Sequence, residues 1–500
     1  MAKQITLNRF DGGIAEDSRD TSAIKVASAV NVNLSLFPNK VVPVVDLEAE
    51  ALSSGDITDK LFTDIFIDDS GAIGAVGRLN SGSPTVINVL SKDSSTDISA
   101  TYTSASSLSA GELTFPGTAI IYNNHSYYIT NGGGGGASVR YYDGSWNNLG
   151  SMSTGSIWLD AGVPRPYRHF ADDLVYFAAR HKLFRFTSTA GTAITSYFTF
   201  PDKYNQTSLT YWGSDLAVAL SSRNGGNSWV AILDRISTNT SPRQLIDWGP
   251  GSLCVLENVN GVLIGISTNE IRFNSASTYT QSKTKKIYIK AWQGGEVVTL
   301  REFEVGSSVQ LTNKKQLIGD KLYFGCNNDD ALYCFTKNKE GNYILYKSHY
   351  VANGTTATSL VNFVFIGDYL FTMVNTAGSN GLVYRTDNAD TYTNTSYIET
   401  LKNPGMTLSD KSKRKKLMSF SIAKASTTGQ LVLKYSVDGS SYVTLATLTA
   451  ASGLLVLKGI NEASGSPLLD GYEFQFKIES TGGAQITELK YEYEEISELI

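Results

Sequence analysis

An apolar pair, two or three turn residues and a second apolar run recur seven times between Phe66 and Leu370. The copies run Phe66-Ile67 to Ile73, Ile121-Tyr122 to Tyr127, His169-Phe170 to Leu174, and Tyr211-Trp212 to Leu216. They continue as Val259-Asn260-Gly261-Val262-Leu263, Leu317-Ile318 to Leu322, and Phe365-Ile366 to Leu370. Asn-Gly, Gly-Asp and Asp-Asp accept the left-handed backbone that a tight turn between twisted strands requires, so each copy predicts a β-hairpin. Between the apolar residues after each turn (Ile73, Tyr127, Leu174, Leu216, Leu263, Leu322, Leu370) the steps are 54, 47, 42, 47, 59 and 48 residues. Four short strands with their turns fill such a step, and the expected fold class is all-β: a seven-bladed β-propeller.

The repeat occupies 61–405, with one unit clear enough to place strands at 321–326, 331–335 and 342–347 and the start of the next blade at 360–366. Residues 1–60 do not carry it. Pro38 and Pro43 disfavour a central strand there, and the stretch reads as an extended N-terminal arm, either wrapping a neighbouring subunit or leading into the first blade. Segment 22–30 is the best helical candidate and it is short. From Thr407 the character changes. A basic run, Lys411-Ser412-Lys413-Arg414-Lys415-Lys416, precedes alternating strands predicted at 417–422, 430–436, 442–448, 454–459, 472–479 and 485–494. These predict a C-terminal β-sandwich of jelly-roll type over 406–500.

Composition supports this reading. Charged residues are only 18% of 500, while Gly (45) and Tyr (27) are abundant, which suits turns and strands rather than long helices. The net charge of −5 gives no general attraction to nucleic acid. Three cysteines, Cys254, Cys326 and Cys334, do not make a disulfide framework, and Cys326 and Cys334 read as buried thiols. No apolar run reaches membrane-spanning length and Met1–Thr6 lacks a secretory core, so synthesis in a cytoplasm is expected.

No catalytic constellation is legible. The seven aspartates Asp68, Asp69, Asp172, Asp173, Asp215, Asp320 and Asp368 all fall at predicted turns, where turn chemistry explains them. His125, His169, His181 and His349 are scattered without a third ligand, so neither metal nor cofactor is expected. Gly132–Gly136 is a glycine run without the Lys-Ser/Thr of a phosphate loop. The basic run lacks interleaved aromatics, and it reads as a solvated face or a socket for an acidic neighbour rather than a DNA patch.

Ser222-Arg223-Asn224-Gly225-Gly226-Asn227-Ser228-Trp229 resembles the Asp-box of sialidases, a hairpin brace that carries no catalysis. The Arg-Ile-Pro motif of those enzymes is absent. More of the chain resembles the β-propeller proteins of short-tailed bacteriophages, which close the head or form the tail nozzle. The resemblance lies in Phe10-Asp11-Gly12-Gly13-Ile14 through Arg19, in Gly162-Val163-Pro164-Arg165-Pro166, and in Lys415-Lys416-Leu417 with Asp438-Gly439. It implies a non-enzymatic virion tail protein, a homo-hexameric ring around the axial DNA channel that takes part in genome retention and release. Tail adaptor or tube proteins are the implied neighbours, with DNA passing without sequence-specific binding. Phe10, Asp17, Arg19, Lys413, Arg414, Lys415 and Lys416 are then the candidates for contacts with other subunits or the adaptor. Two alternatives stand beside it: a tail-tip or decoration protein gripping a host-surface glycan or protein through loops 102–107, 146–155 and 279–286, and a sialidase-like glycosidase.

Overall fold

In a computed structural model the chain is described at residues 3–15, 25–35, 37, 39–49, 60–67, 73–79, 88–92, 98–104, 113–114, 119–123, 125–131, 137–142, 146–152, 163–222, 225–234, 241–269, 285–352, 357–366, 369–376, 379–386, 392, 394–425, 428–449, 454–458 and 470–496. Among the described residues it is all-β, with one short helix, Leu408–Lys411, capped by the Thr407 side chain. Two compact units divide it. One comprises Leu47–Asp330 and Thr355–Thr386; the other comprises Met1–Asp46, Ala331–Gly354 and Asp387–Ile500.

The first unit is a succession of antiparallel sheets, mostly four-stranded; of the sheet that begins with Gln310–Ile318 it holds that strand and Lys321–Asn327, while Ala331–Lys337 and Tyr343–Tyr350 are counted with the other unit. In chain order the sheets begin with Lys60–Ile67, with Leu113–Thr114 and Ile120–Tyr122 together, then with Tyr167–Arg168, Tyr204–Trp212, Ser252–Val259, Gln310–Ile318 and Ala357–Ile366. Each repeat identified in the sequence is the hairpin between the first and second strand of one sheet, and the flanking strands are present at all seven. The turn chemistry is as expected where it is described. Trp212 pairs with Asp215, Val259 with Val262 and Ile318 with Lys321, leaving two-residue loops. Asn260 and Gly261 both have positive φ (51° and 80°), the type I′ pattern. The turns at 68–72 and 367–368 lie outside the described residues, as does the glycine run 132–136.

Both faces of these sheets are covered, so their second strands are apolar or small almost throughout. Val175–Ala179 and Asp215–Ser222 are buried at every residue. Apolar clusters join neighbours. Tyr122, Ile129 and Val139 pack with Val175, Phe177 and Phe186; Tyr176 and Leu183 pack with Leu216, Val218 and Ala231; Ala217, Val230 and Trp248 pack with Leu256 and Leu263. First strands lie beside first strands: the fourth against the fifth, then the sixth, the seventh, the first and the second. Leu47–Ala49, which precedes the whole series, supplies the outer strand of the last sheet, opposite Tyr384–Thr386.

The other unit holds two five-stranded antiparallel sheets. One orders Lys3–Leu7, Ile486–Glu495, Lys415–Lys424 and Leu454–Lys458, with Asp470–Gly471 also on Lys415–Lys424. The second orders Val26–Val30, Ser396–Thr400, Phe474–Thr481, Gln430–Val437 and Val443–Leu448. Phe474–Thr481 alternates buried and half-buried along its length. Phe476 of the second sheet lies 5.2 Å from Phe420 and 5.1 Å from Tyr491 of the first, ring centre to ring centre.

Two expectations change here. The stretch read as an arm supplies strands to this unit, because Lys3–Leu7 has a ladder partner at the other end of the chain, with Lys3 opposite Tyr493. Segment 22–30 is no helix where it is described: Val26–Val30 is a strand, and β-branched Val26 and Val30 are buried on it. Pro43 sits in a two-residue ladder with Val32, a position that needs no donor from the ring.

Candidate functional site

The first strands carry more polar side chains than the strands behind them, and the polar ones converge. A cleft of about 90 Å³ is lined by Pro164, Arg165, Pro166, Tyr167, Thr207, Ser208 and Leu209, and by Glu257, Asn313, Lys314, Lys315 and Asn362. Strand irregularities aim several of them. The register slips between Gln206 and Ser208, between Leu311 and Lys315, and between Leu360 and Asn362. A bulge releases the extra residue from the ladder and re-aims its side chain, which places Thr207, Asn313 and Lys314 on the lining.

Glu257 and Lys315 form the centre of this lining. Glu257 Oε2 is 2.9 Å from Lys315 Nζ. Glu257 Oε1 accepts hydrogen bonds from Thr210 Oγ1 (2.6 Å) and from the Asn258 backbone N–H (3.0 Å). Lys315 Nζ also donates to the carbonyl of Leu209 at 2.9 Å and to that of Leu256. Its three protons thus tie three consecutive first strands together, and both carboxylate oxygens are engaged. Nearby, burial pushes the Tyr167 phenol above its ordinary range, with Glu257 and then Tyr211 and Asp172 adding to it. Tyr167 is therefore a neutral hydroxyl at physiological pH, able to donate or accept. Asn313 Nδ2 donates to the Val163 carbonyl at 3.2 Å, fixing the segment that leads to Pro164.

The residues singled out from the sequence lie elsewhere. Phe10 is buried in the second unit, and Asp17 and Arg19 fall outside the described residues. The basic run finds its acidic neighbours within its own chain. Lys413 pairs with Glu495 at 2.7 Å, Arg414 with Asp470 at 2.9 Å, and Lys416 stands opposite Asp470 and Glu494 in the ladder. Lys415 is wholly buried and donates to the carbonyls of Asp410, Lys411, Lys413 and Tyr472 at 2.6–3.3 Å; desolvation lowers its pKa. A basic hexamer that looks like a docking patch is largely an internal fastening. The Asp-box echo behaves as a brace, with Ser228 Oγ donating to the Gly251 carbonyl at 2.6 Å and Trp229 packed against the third and fourth sheets. Cys254, Cys326 and Cys334 are buried thiols outside any disulfide. Among the described residues no trio of His, Cys, Asp or Glu is placed for a metal, and no helix is long and apolar enough to cross a membrane. Of the loop candidates 102–107, 146–155 and 279–286, residues 105–107, 153–155 and 279–284 lie outside the described residues, and the others, Met152 apart, fall in the strands Ile98–Ser104, Trp146–Ser151 and Lys285–Trp292.

Sheet after sheet of antiparallel strands with a polar cleft among their first strands define an all-β, propeller-like class. No family model matches the chain, and no curated protein matches it. Solved structures do resemble it. The exo-β-1,3-galactanase of Phanerochaete chrysosporium is 12% identical with a TM-score of 0.31, covering 91% of this chain and 100% of that one. A structure titled glycoside hydrolase is 9% identical (TM-score 0.27; 76% and 97% covered). A putative 6-phosphogluconolactonase of Bacteroides uniformis is 13% identical (TM-score 0.40; 65% and 96% covered). The expectation of a non-enzymatic phage tail subunit is corrected by these neighbours: they carry enzyme titles, and none of them is a virion part. At such scores the likeness transfers no activity to this chain, so function must be argued from its own cleft.

Proposed function

We propose that this chain is a carbohydrate-binding propeller protein, with seven sheets closed into a seven-bladed ring and the two five-stranded sheets of the other unit forming a jelly-roll-like sandwich. Ring closure is supported by the run of neighbouring first strands and by Leu47–Ala49 completing the last sheet. The sandwich is supported by Phe476 packing against Phe420 and Tyr491.

The observation that carries the functional reading is the cleft lining. The lining joins the Tyr167 phenol and the Asn313 and Asn362 amides to the Thr207 and Ser208 hydroxyl oxygens, whose protons go to the Leu253 and Leu256 carbonyls and leave them as acceptors, beside a charged pair that holds the strands in place. A polyhydroxylated ligand needs that mixture, and a cleft whose strands are already tied together lowers the ordering cost of binding. Calorimetric titration of the intact chain with a panel of neutral and acidic mono- and oligosaccharides tests it. Saturable heat that weakens in Asn362→Ala and Thr207→Val is expected; a panel that gives no binding at all sinks the reading. Fluorogenic glycosides run alongside report whether binding leads to hydrolysis, and turnover lost in Glu257→Gln would place a proton transfer at that carboxylate.

A further inference from the structure

We infer that the cleft is one subsite of a longer site, whose ligand is an oligosaccharide with one ring in the cleft and the next packed against Phe170; the inference rests on the carbohydrate reading above. The cleft holds about 90 Å³, whereas sites that enclose a whole ligand run to about 300–1,000 Å³, so anything beyond one sugar ring lies on the surface outside it. Four aromatic rings lead there from the lining. Tyr167, itself on the lining, lies 6.0 Å from His169, ring centre to ring centre. His169 is stacked on Phe170 at 5.1 Å with the planes 16° apart, and Phe170 meets Tyr211 at 5.1 Å and 77°. Tyr211 stands two residues beyond Leu209 of the lining, about 7 Å along the same strand. His169 is wholly buried, while Phe170 is 63% exposed.

An exposed side chain on a turn ordinarily changes rotamer freely, and this one is braced. The His169 N–H donates to the Leu174 carbonyl and the Asp173 N–H to the His169 carbonyl, both at 2.9 Å. Asp172 Oδ1 accepts from the Leu174 N–H at 3.1 Å, and His169 Nδ1 from the Ala171 N–H at 3.2 Å. On the neighbouring strand the Tyr211 carbonyl accepts from Asn258 Nδ2 at 3.1 Å, which ties it to the residue after Glu257. The Phe170 ring is thus held by His169 and Tyr211 on a fastened turn, with most of its surface open. A pyranose carries hydroxyls around its rim and C–H groups on its faces, so its polar rim suits the cleft and an apolar face suits a fixed aromatic ring. A ring already in place lowers the ordering cost of that contact.

The experiment compares D-glucose, cellobiose and cellotriose, with the laminari- and malto-oligosaccharides of the same lengths, by calorimetry on the intact chain. In at least one series the disaccharide is expected to bind about tenfold tighter than glucose, the effect of covering one aromatic surface, with a smaller step to the trisaccharide. That step is expected to vanish in Phe170→Ala and in Phe170→Leu, which keeps apolar bulk without a flat ring, and to return in Phe170→Trp. Circular dichroism checks each variant for folding. Oligosaccharides that never exceed the best-binding monosaccharide of the wider panel, or a length step untouched in Phe170→Ala, overturn this inference while the carbohydrate reading survives. No binding of any sugar in the wider panel takes both down.

Discussion

At the scale of single residues the chain repeatedly turns lysine inward onto backbone oxygen. Lys315 is the instance with the largest consequence, since its ammonium holds Leu209, Leu256 and Glu257 at once. Lys315→Met removes every one of those donors and leaves Glu257 a half-paired buried charge. A loss of about 3–5 kcal/mol in urea unfolding is expected, and the double variant Lys315→Met/Glu257→Gln should recover part of it because no lone charge is then left. Asp410 gives a pH signature in the other unit. The Lys3 ammonium at 2.7 Å, helped by Thr407 and Tyr493, holds its carboxyl down at about 2. Its unfolded value is about 3.9, so its contribution is complete above about pH 4 and is lost as pH falls toward about 2. The urea midpoint should drop across that window, and Asp410→Asn should flatten the drop; an unchanged acid limb in the variant would count against the assignment.

Elements pack by close approach between sheets, and one contact shows how little room there is. A Cβ placed on Gly265 would lie 2.5 Å from Trp248 Cζ2, 2.6 Å from Cε2 and 2.7 Å from Nε1. The indole, 1% exposed, lies directly on the glycine of the next sheet. Gly265→Ala must push it aside, at about 1–3 kcal/mol, with a red shift in tryptophan emission as the reporter. Sequence legibility follows the same physics. Strands predicted at 430–436 and 485–494 are found at Gln430–Val437 and Ile486–Glu495, because alternating burial is written into local residue order. The hairpin turns were legible for the same reason. The cleft was not: Thr207, Asn313 and Lys314 are aimed by bulges, which leave no mark on the apolar pattern. Nor was the pairing of Lys3–Leu7, whose partner is fixed by tertiary contact alone. Nor was the fate of the basic run, since Glu495 and Asp470 are remote in sequence.

For the first unit as a whole, the last sheet depends on three residues from its very beginning. Leu47 is 3% exposed on that strand. Leu47→Asp asks it to bury a carboxylate, so the strand should detach and uncover the edge of Ser379–Thr386, with light scattering that grows with protein concentration. Leu47→Ile should stay clear. A variant with aspartate that remains monodisperse would show that another element seals that edge.

The second unit has its own dependence on order of synthesis. Lys3–Leu7 is translated long before the strand it zips onto, Ile486–Glu495. At ordinary elongation rates that is a wait on the order of a minute. Throughout it Lys3–Leu7 lacks this ladder partner, so a nascent chain cut short before 486 cannot seat that strand.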